Sequence, residues 1–269
     1  MKLLRRLVAW WRGSADTALR AEARRIQDKL ERRRPEGSSE PSPRAAKPPL
    51  ILLHGLGTGP SGWQPQAEAF DDREVIVPRL PLDLDAAARL TLRHVDEHER
   101  VDLAGLSLGA LVALQAAVER PRHVRRLVLV AGFARLPRRL RVLQLGLAAA
   151  ARIVPMRVLA RGLASSVPAS RRAEAEEELA AVTSAKVARV MRAGARFDVA
   201  LAARRLDIPT LVVCGDRDRH NLPLSRDLAA LLPRAELRLI ADAEHVVNLE
   251  QPGAFNAVVR SFLAAGEGA

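Results

Sequence analysis

Short apolar runs punctuate this chain at Leu50–Leu53, Val75–Val77, Val101–Ala104, Leu127–Val130, Thr210–Val213 and Leu237–Ile240. Between them lie stretches with helical spacing. Asp85–Glu97 is amphipathic, and Ser107–Glu119 carries Leu108, Leu111, Val112 and Ala116 on one side. A last helix is predicted over Pro252–Leu263, where Pro252 suits a first turn because its φ is fixed and it has no N–H to place. Strands spaced by helices imply an α/β body with a mostly parallel sheet and helices on both faces. The alternation stops over residues 135–203, a stretch rich in Ala, Leu, Arg and Glu and broken at Pro155 and Pro168. Three or four helices are expected there, forming a helical cap inserted into a core made of residues 50–134 and 204–265.

The first 49 residues read differently. Leu4, Val8, Trp11, Ala15, Leu19, Ala23, Ile26 and Leu30 recur at three- and four-residue steps, flanked by arginines. Residues 1–34 thus predict a basic amphipathic helix, which Gly13-Ser14 can interrupt. It suits peripheral contact with a membrane, with Trp10 and Trp11 at headgroup depth, and equally suits packing on its own body or on a partner. Residues 35–49 (PEGSSEPSPRAAKPP) read as a Pro/Ser-rich linker.

Composition narrows the functional classes. Of the net charge of +12, +7 falls in residues 1–34, so the body is only mildly basic and a nucleic-acid partner is not expected. No apolar run is long enough to span a bilayer, and the run after Arg6 is too short for a signal peptide. There is no Tyr, which excludes a tyrosine general acid, and the core must be built from Leu, Val, Ala and Ile. The single cysteine, Cys214, permits neither an internal disulfide nor a Cys-based zinc site and fits a reducing, cytoplasmic setting. The sequence is silent on oligomeric state.

Gly105-Leu106-Ser107-Leu108-Gly109 follows an apolar strand and opens a helix. In that setting Gly-x-Ser-x-Gly makes a turn too tight for side chains beside the serine. The hydroxyl is thrust out and the helix N-terminus favours developing negative charge. A serine needs a base held by a third group. His245 lies in the loop after the last predicted strand. His94 and His98 share a helix at a spacing that suits a metal, but no third ligand is near, so no metal is expected. Acids cluster at Gly215-Asp216-Arg217-Asp218, after the Thr210–Val213 strand, on the edge where parallel sheets build sites. Asp216 reads as a turn cap or an arginine partner, and Asp218 as the residue that orients His245. An oxyanion needs two aimed donors: the backbone N–H of Leu108 and one from the loop after His54-Gly55, that of Leu56. His54 itself shapes that loop rather than acting as a base. A phosphate-loop reading of Leu56–Gly59 fails, because no Lys-Ser/Thr follows.

Four motifs in order, HGLG at 54–57, GLSLG at 105–109, PTLVVCGDRD at 209–218 and EHVVNLEQP at 244–252, resemble the α/β-hydrolase superfamily in its capped ester- and lactone-hydrolysing branch. The resemblance covers about residues 50–265. It implies an α/β-hydrolase fold, no cofactor, and a catalytic set of Ser107, Asp218 and His245. The oxyanion donors are then Leu56 and Leu108, and His54, Gly55, Gly105 and Gly109 shape the supporting loops. Glu250 becomes a buried structural acid. The chain departs from such relatives in three places. Arg79-Leu80-Pro81-Leu82-Asp83 replaces an acidic, Gly-rich loop, Glu244 replaces the glycine before the histidine, and residues 1–49 hold no counterpart of two early strands. About six strands are expected rather than eight. Glu244 either raises the His245 pKa or points to solvent.

The activity implied is acyl transfer to water from a small, apolar ester, lactone or thioester. The same site also serves cofactor-free perhydrolysis or C–C bond hydrolysis, and a non-catalytic, membrane-associated scaffold retains the same fold. Arg135, Arg138, Arg139 and Arg141 open the cap, either attracting an acidic substrate or forming a solvated face.

Overall fold

The computed structural model of the protein describes residues 47–180 and 182–265. The amphipathic segment 1–34 and all but the last three residues of the linker 35–49 lie outside them.

Six strands form one sheet: β1 (Leu50–Leu53), β2 (Val75–Ile76), β3 (Val101–Leu106), β4 (Val124–Val130), β5 (Thr210–Gly215) and β6 (Ala235–Ile240). Their order is β2-β1-β3-β4-β5-β6, and every pair is parallel. β1, β3 and β5 are buried along their whole length, as strands covered on both faces must be. The helices of the body are α1 (Gln64–Ala69), α2 (Leu84–Asp96) and α3 (Leu108–Glu119), followed after the cap by α9 (Asn221–Leu231), α10 (Val247–Glu250) and α11 (Pro252–Ala264). One core cluster joins Leu103, Leu111, Leu114 and Leu129 with Leu206 and Leu228. The other joins Leu52, Trp63, Val128 and Val213 with Phe255.

Between β4 and β5 the chain leaves the sheet for α4 (Arg138–Ala151), α5 (Met156–Ala164), α6 (Arg172–Ala180), α7 (Ser184–Arg196) and α8 (Ala200–Ala203). An antiparallel bridge between Arg135 and Asp198 draws the two ends of this excursion together. α8 returns to the body: its Ala200 and Ala203 join the core cluster that holds Leu111.

Several element bounds differ from those read along the sequence. β4 begins at Val124 because Arg125 is neutralised inside the fold. Its guanidinium donates to Asp102 Oδ1 at 2.9 Å, and Asp102 is fully buried in β3. α3 begins at Leu108, since Ser107 has a φ of 54° that no α-helix accommodates. α2 begins at Leu84, where the Asp83 carboxylate accepts the Ala86 N–H at 3.0 Å.

The order of strands reverses between β1 and β3. In open parallel sheets this reversal opens a crevice at the carboxyl ends of the strands, where ligands bind. His54-Gly55 leaves β1 on one side of the crevice and Ser107 leaves β3 on the other. A Cβ built on Gly55 would lie 3.5 Å from the Ser107 Cβ.

Candidate active site

The turn at Ser107 is held from three directions. Its N–H donates to Val130 O at 2.8 Å, tying it to the end of β4. Its carbonyl accepts from Ala110 N and Leu111 N, which starts α3. A β-carbon on Gly105 would fall 2.2 Å from Gly109 O, and one on Gly109 would fall 2.0 Å from Leu53 O. Only glycine permits these contacts. They also hold Ser107 in a backbone conformation that costs roughly 1–3 kcal/mol outside glycine. The first-turn N–H groups of α3, among them Leu108, have no carbonyl within the helix to bond.

His54 is buried and its ring bridges two loops. The N–H of Leu80 donates to Nε2 at 3.0 Å, and Nδ1 lies 2.9 Å from Gly55 O. A backbone N–H can only donate, so Nε2 is the acceptor and the proton resides on Nδ1, donated to Gly55. Burial, the largest influence, lowers the His54 pKa, so the ring stays neutral. Both nitrogens are engaged in shaping the crevice. Leu56 follows, half-buried at its rim.

The loop after β2, Arg79–Asp83, acquires a partner in the cap. Arg79 donates to both carboxylate oxygens of Glu178 on α6, at 2.7 and 3.0 Å, and this lowers the Glu178 pKa. The neighbouring Leu179 packs over Gly57, its Cδ1 3.1 Å from where a Cβ would stand. α6 therefore covers the loop that follows His54.

Asp218 and His245 come together across the ends of β5 and β6. His245 Nδ1 lies 2.9 Å from Asp218 Oδ2. The Asp218 side chain is 1% exposed, whereas His245 keeps 21% of its surface. Gly215 makes this approach possible, since a Cβ there would lie 2.2 Å from Ala243 O, two residues before the histidine. Burial pushes the Asp218 carboxyl up. The charge and hydrogen bond of His245 and the donors of Asn221 outweigh it, so the net shift is downward. Burial likewise pushes His245 down, but the Asp218 charge and hydrogen bond, with a smaller contribution from Glu250, carry it above 6.5.

Glu244 is exposed, and the carboxylate that matters to the histidine backbone is Glu250. Its oxygens accept Glu244 N at 2.6 Å and Val246 N at 3.0 Å, gripping the chain on either side of His245. Burial raises its pKa. Asp216 faces Asp242 and Ala243, and burial followed by the Asp242 charge raises its pKa. His94 lies at the surface beside Glu97, and no metal-holding group of three or more His, Cys, Asp or Glu occurs among the described residues.

Three residues that bear on the site escaped the sequence reading. Asn221 donates to both oxygens of Asp218. Gln66 and Asn248, both buried, bond each other and link the segment after β1 to the one after His245. Asn221 stands three positions beyond Asp218 at the head of a helix, which is a local signal. Gln66 and Asn248 are 182 residues apart and send none.

Chemically, a serine on a strained strand–helix turn, helix-terminal N–H groups and an aspartate-held imidazole at one sheet edge are the parts needed for acyl transfer. Residues 50–258 match the family model of the Alpha/beta hydrolase family, and the chain belongs to that family. It is 32% identical over 247 residues to the polyketide synthase ThaQ of Burkholderia thailandensis, covering 80% of this chain but only 12% of that protein. It is 28% identical over 256 residues to RutD of Escherichia coli O127:H6, named as a carbamate hydrolase, over 84% of this chain and 95% of RutD. The crystal structure of a hydrolase from Pseudomonas aeruginosa superposes with a TM-score of 0.70 at 27% identity, over 81% of this chain and 91% of that one.

Proposed function

We propose that this member of the family is a serine hydrolase of small, apolar carboxylic esters, lactones or thioesters. The observation that carries the proposal is the 2.9 Å contact from His245 Nδ1 to Asp218 Oδ2. It turns Nε2 into the nitrogen that exchanges protons. Ser107 Oγ attacks the substrate carbonyl while its proton passes to His245 Nε2. The backbone N–H groups of Leu56 and Leu108 stabilise the oxyanion. The protonated imidazole, held by Asp218, then gives its proton to the leaving alcohol or thiol, and the acyl group stays on Ser107. Water, deprotonated by His245, attacks this acyl-enzyme and releases the acid. The Ala- and Leu-rich cap, which sets Leu179 over Gly57, favours apolar acyl groups over charged ones.

RutD favours a second reading within the same chemistry. Its similarity runs over 95% of its length, and a carbamate carbonyl suits the same attack.

A fluorophosphonate probe tests the proposal. It should label the folded protein at Ser107, and Ser107→Ala should remove both labelling and ester turnover, with kcat falling by about 10⁴-fold or more. A folded protein that resists the probe overturns the serine mechanism and favours a scaffold. A panel of esters of graded acyl length, run beside carbamates, a peracid assay and a C–C substrate, separates the substrate classes.

A further inference from the structure

We infer that the α4–α5 part of the cap is a docking surface for an anionic lipid bilayer. Six large hydrophobic side chains are exposed among the described residues, and five of them, Val142, Leu143, Leu147, Ile153 and Val158, fall on α4, α5 and the turn between them. Ile153 is 86% exposed and Val142 62%. Five such side chains within residues 142–158, rather than scattered singly along the chain, mark a surface that is covered in use.

Its charge decides what covers it. Arg138, Arg139, Arg141, Arg152, Arg157 and Arg161 are interspersed with the apolar residues along the chain, and all six are exposed. From Arg120 to Ala173 the chain contains no Asp or Glu. The nearby cap ion pairs are Arg79–Glu178 and Arg171–Glu174, and none of the six takes part in them. Segment 1–34 carries +7, the same sign as this rim, and a second copy would likewise set like charge against like. An anionic bilayer satisfies both features: headgroups receive the guanidinium groups while the apolar side chains enter the acyl boundary. No helix among the described residues is long and apolar enough to cross a membrane, so the contact is a surface one. The cap rises from the sheet edge that carries Ser107, yet this docking does not depend on the chemistry proposed for that residue.

The test uses the full chain with an environment-sensitive fluorophore on Ile153→Cys. Cys214, the sole native cysteine, is fully buried, so the label goes to position 153. With vesicles of phosphatidylglycerol and phosphatidylcholine, the probe should shift to the blue and be quenched by lipid-borne quenchers. With phosphatidylcholine alone it should stay in water, and high salt should release it. Changing Arg138, Arg139 and Arg141 together to Gln should weaken the anionic binding about a hundredfold, with the vesicle-free spectrum unchanged. Protein that sediments with vesicles while the probe stays wet overturns the proposal in favour of another segment. A probe already dry without lipid at every protein concentration shows that the chain covers its own cap, and one that dries as concentration rises shows a second copy. Either result overturns it, as does failure to bind anionic vesicles.

Discussion

Asn221 spans the carboxylate of Asp218, its Nδ2 lying 2.9 Å from Oδ1 and 2.8 Å from Oδ2. The Asn221 backbone N–H adds a third donor to Oδ1 at 3.1 Å. With the larger influence of the His245 charge and hydrogen bond, these bonds favour the ionised acid against its burial. They also spread its charge away from the imidazole. Asn221→Ala should therefore leave more of that charge facing His245, move the acidic limb of the pH–rate profile to higher pH, and lower kcat about tenfold. A pH profile of ester turnover checks this. A residue that merely packs would lower the melting temperature and leave the limb in place.

The acidic limb itself has a predicted position. His245 accepts a proton only when neutral, and the fold raises its pKa above 6.5, since the charge and hydrogen bond of Asp218 outweigh the opposing effect of burial. Turnover should thus fall as pH drops through a pKa higher than that of free imidazole. Asp218→Asn removes the charge, so the limb should move to lower pH while kcat falls by about 10⁴-fold. Glu250→Gln should move it the same way by less, because Glu250 contributes the smaller share. A limb that stays fixed in both variants would show that another group sets it.

His54 makes the opposite prediction. Its two nitrogens are engaged by Leu80 N and Gly55 O and burial lowers its pKa, so it should titrate below the ordinary imidazole value. Nitrogen-resolved NMR at neutral pH should show the proton on Nδ1. His54→Ala strands the Leu80 N–H in a buried place and should cost about 1–3 kcal/mol in denaturant unfolding, before any loss of ring packing.

The parts of this molecule that sequence displays are those written locally. The Gly105–Gly109 turn follows an apolar run, and the alternation of strands and helices already implies the parallel sheet. What it hides depends on distant partners. Arg125 and Arg126 make the start of β4 look polar, and only the buried Asp102, 23 residues earlier, explains why Arg125 is tolerated in a strand. Ser107 looks like the first residue of a helix because helical spacing carries no information about φ. The loop at Arg79–Asp83 carries no local sign of its role, because its partner Glu178 lies 99 residues on.

The buried amides Gln66 and Asn248 give the most demanding test of how the site is held. Asn248 Nδ2 donates to Gly62 O at 2.7 Å and to Gln66 Oε1 at 3.1 Å, and Gln66 Nε2 donates to Asn248 O at 3.0 Å. Asn248 is three residues beyond His245, and Gly62 lies in the segment that continues from His54-Gly55. The pair thus joins the two loops whose separation the reaction needs fixed. Asn248→Leu leaves Gly62 O and Gln66 Oε1 without their donor in a dry place, and should cost about 1–3 kcal/mol. Gln66→Leu should cost a similar amount. The double variant removes both polar groups and should be more stable than the sum of the single losses predicts. If the amides also hold the site, ester turnover should fall in both single variants and remain low in the double variant even where stability recovers. Equilibrium unfolding and kcat measured on the same four proteins decide the matter, because a purely structural pair would let activity return with stability.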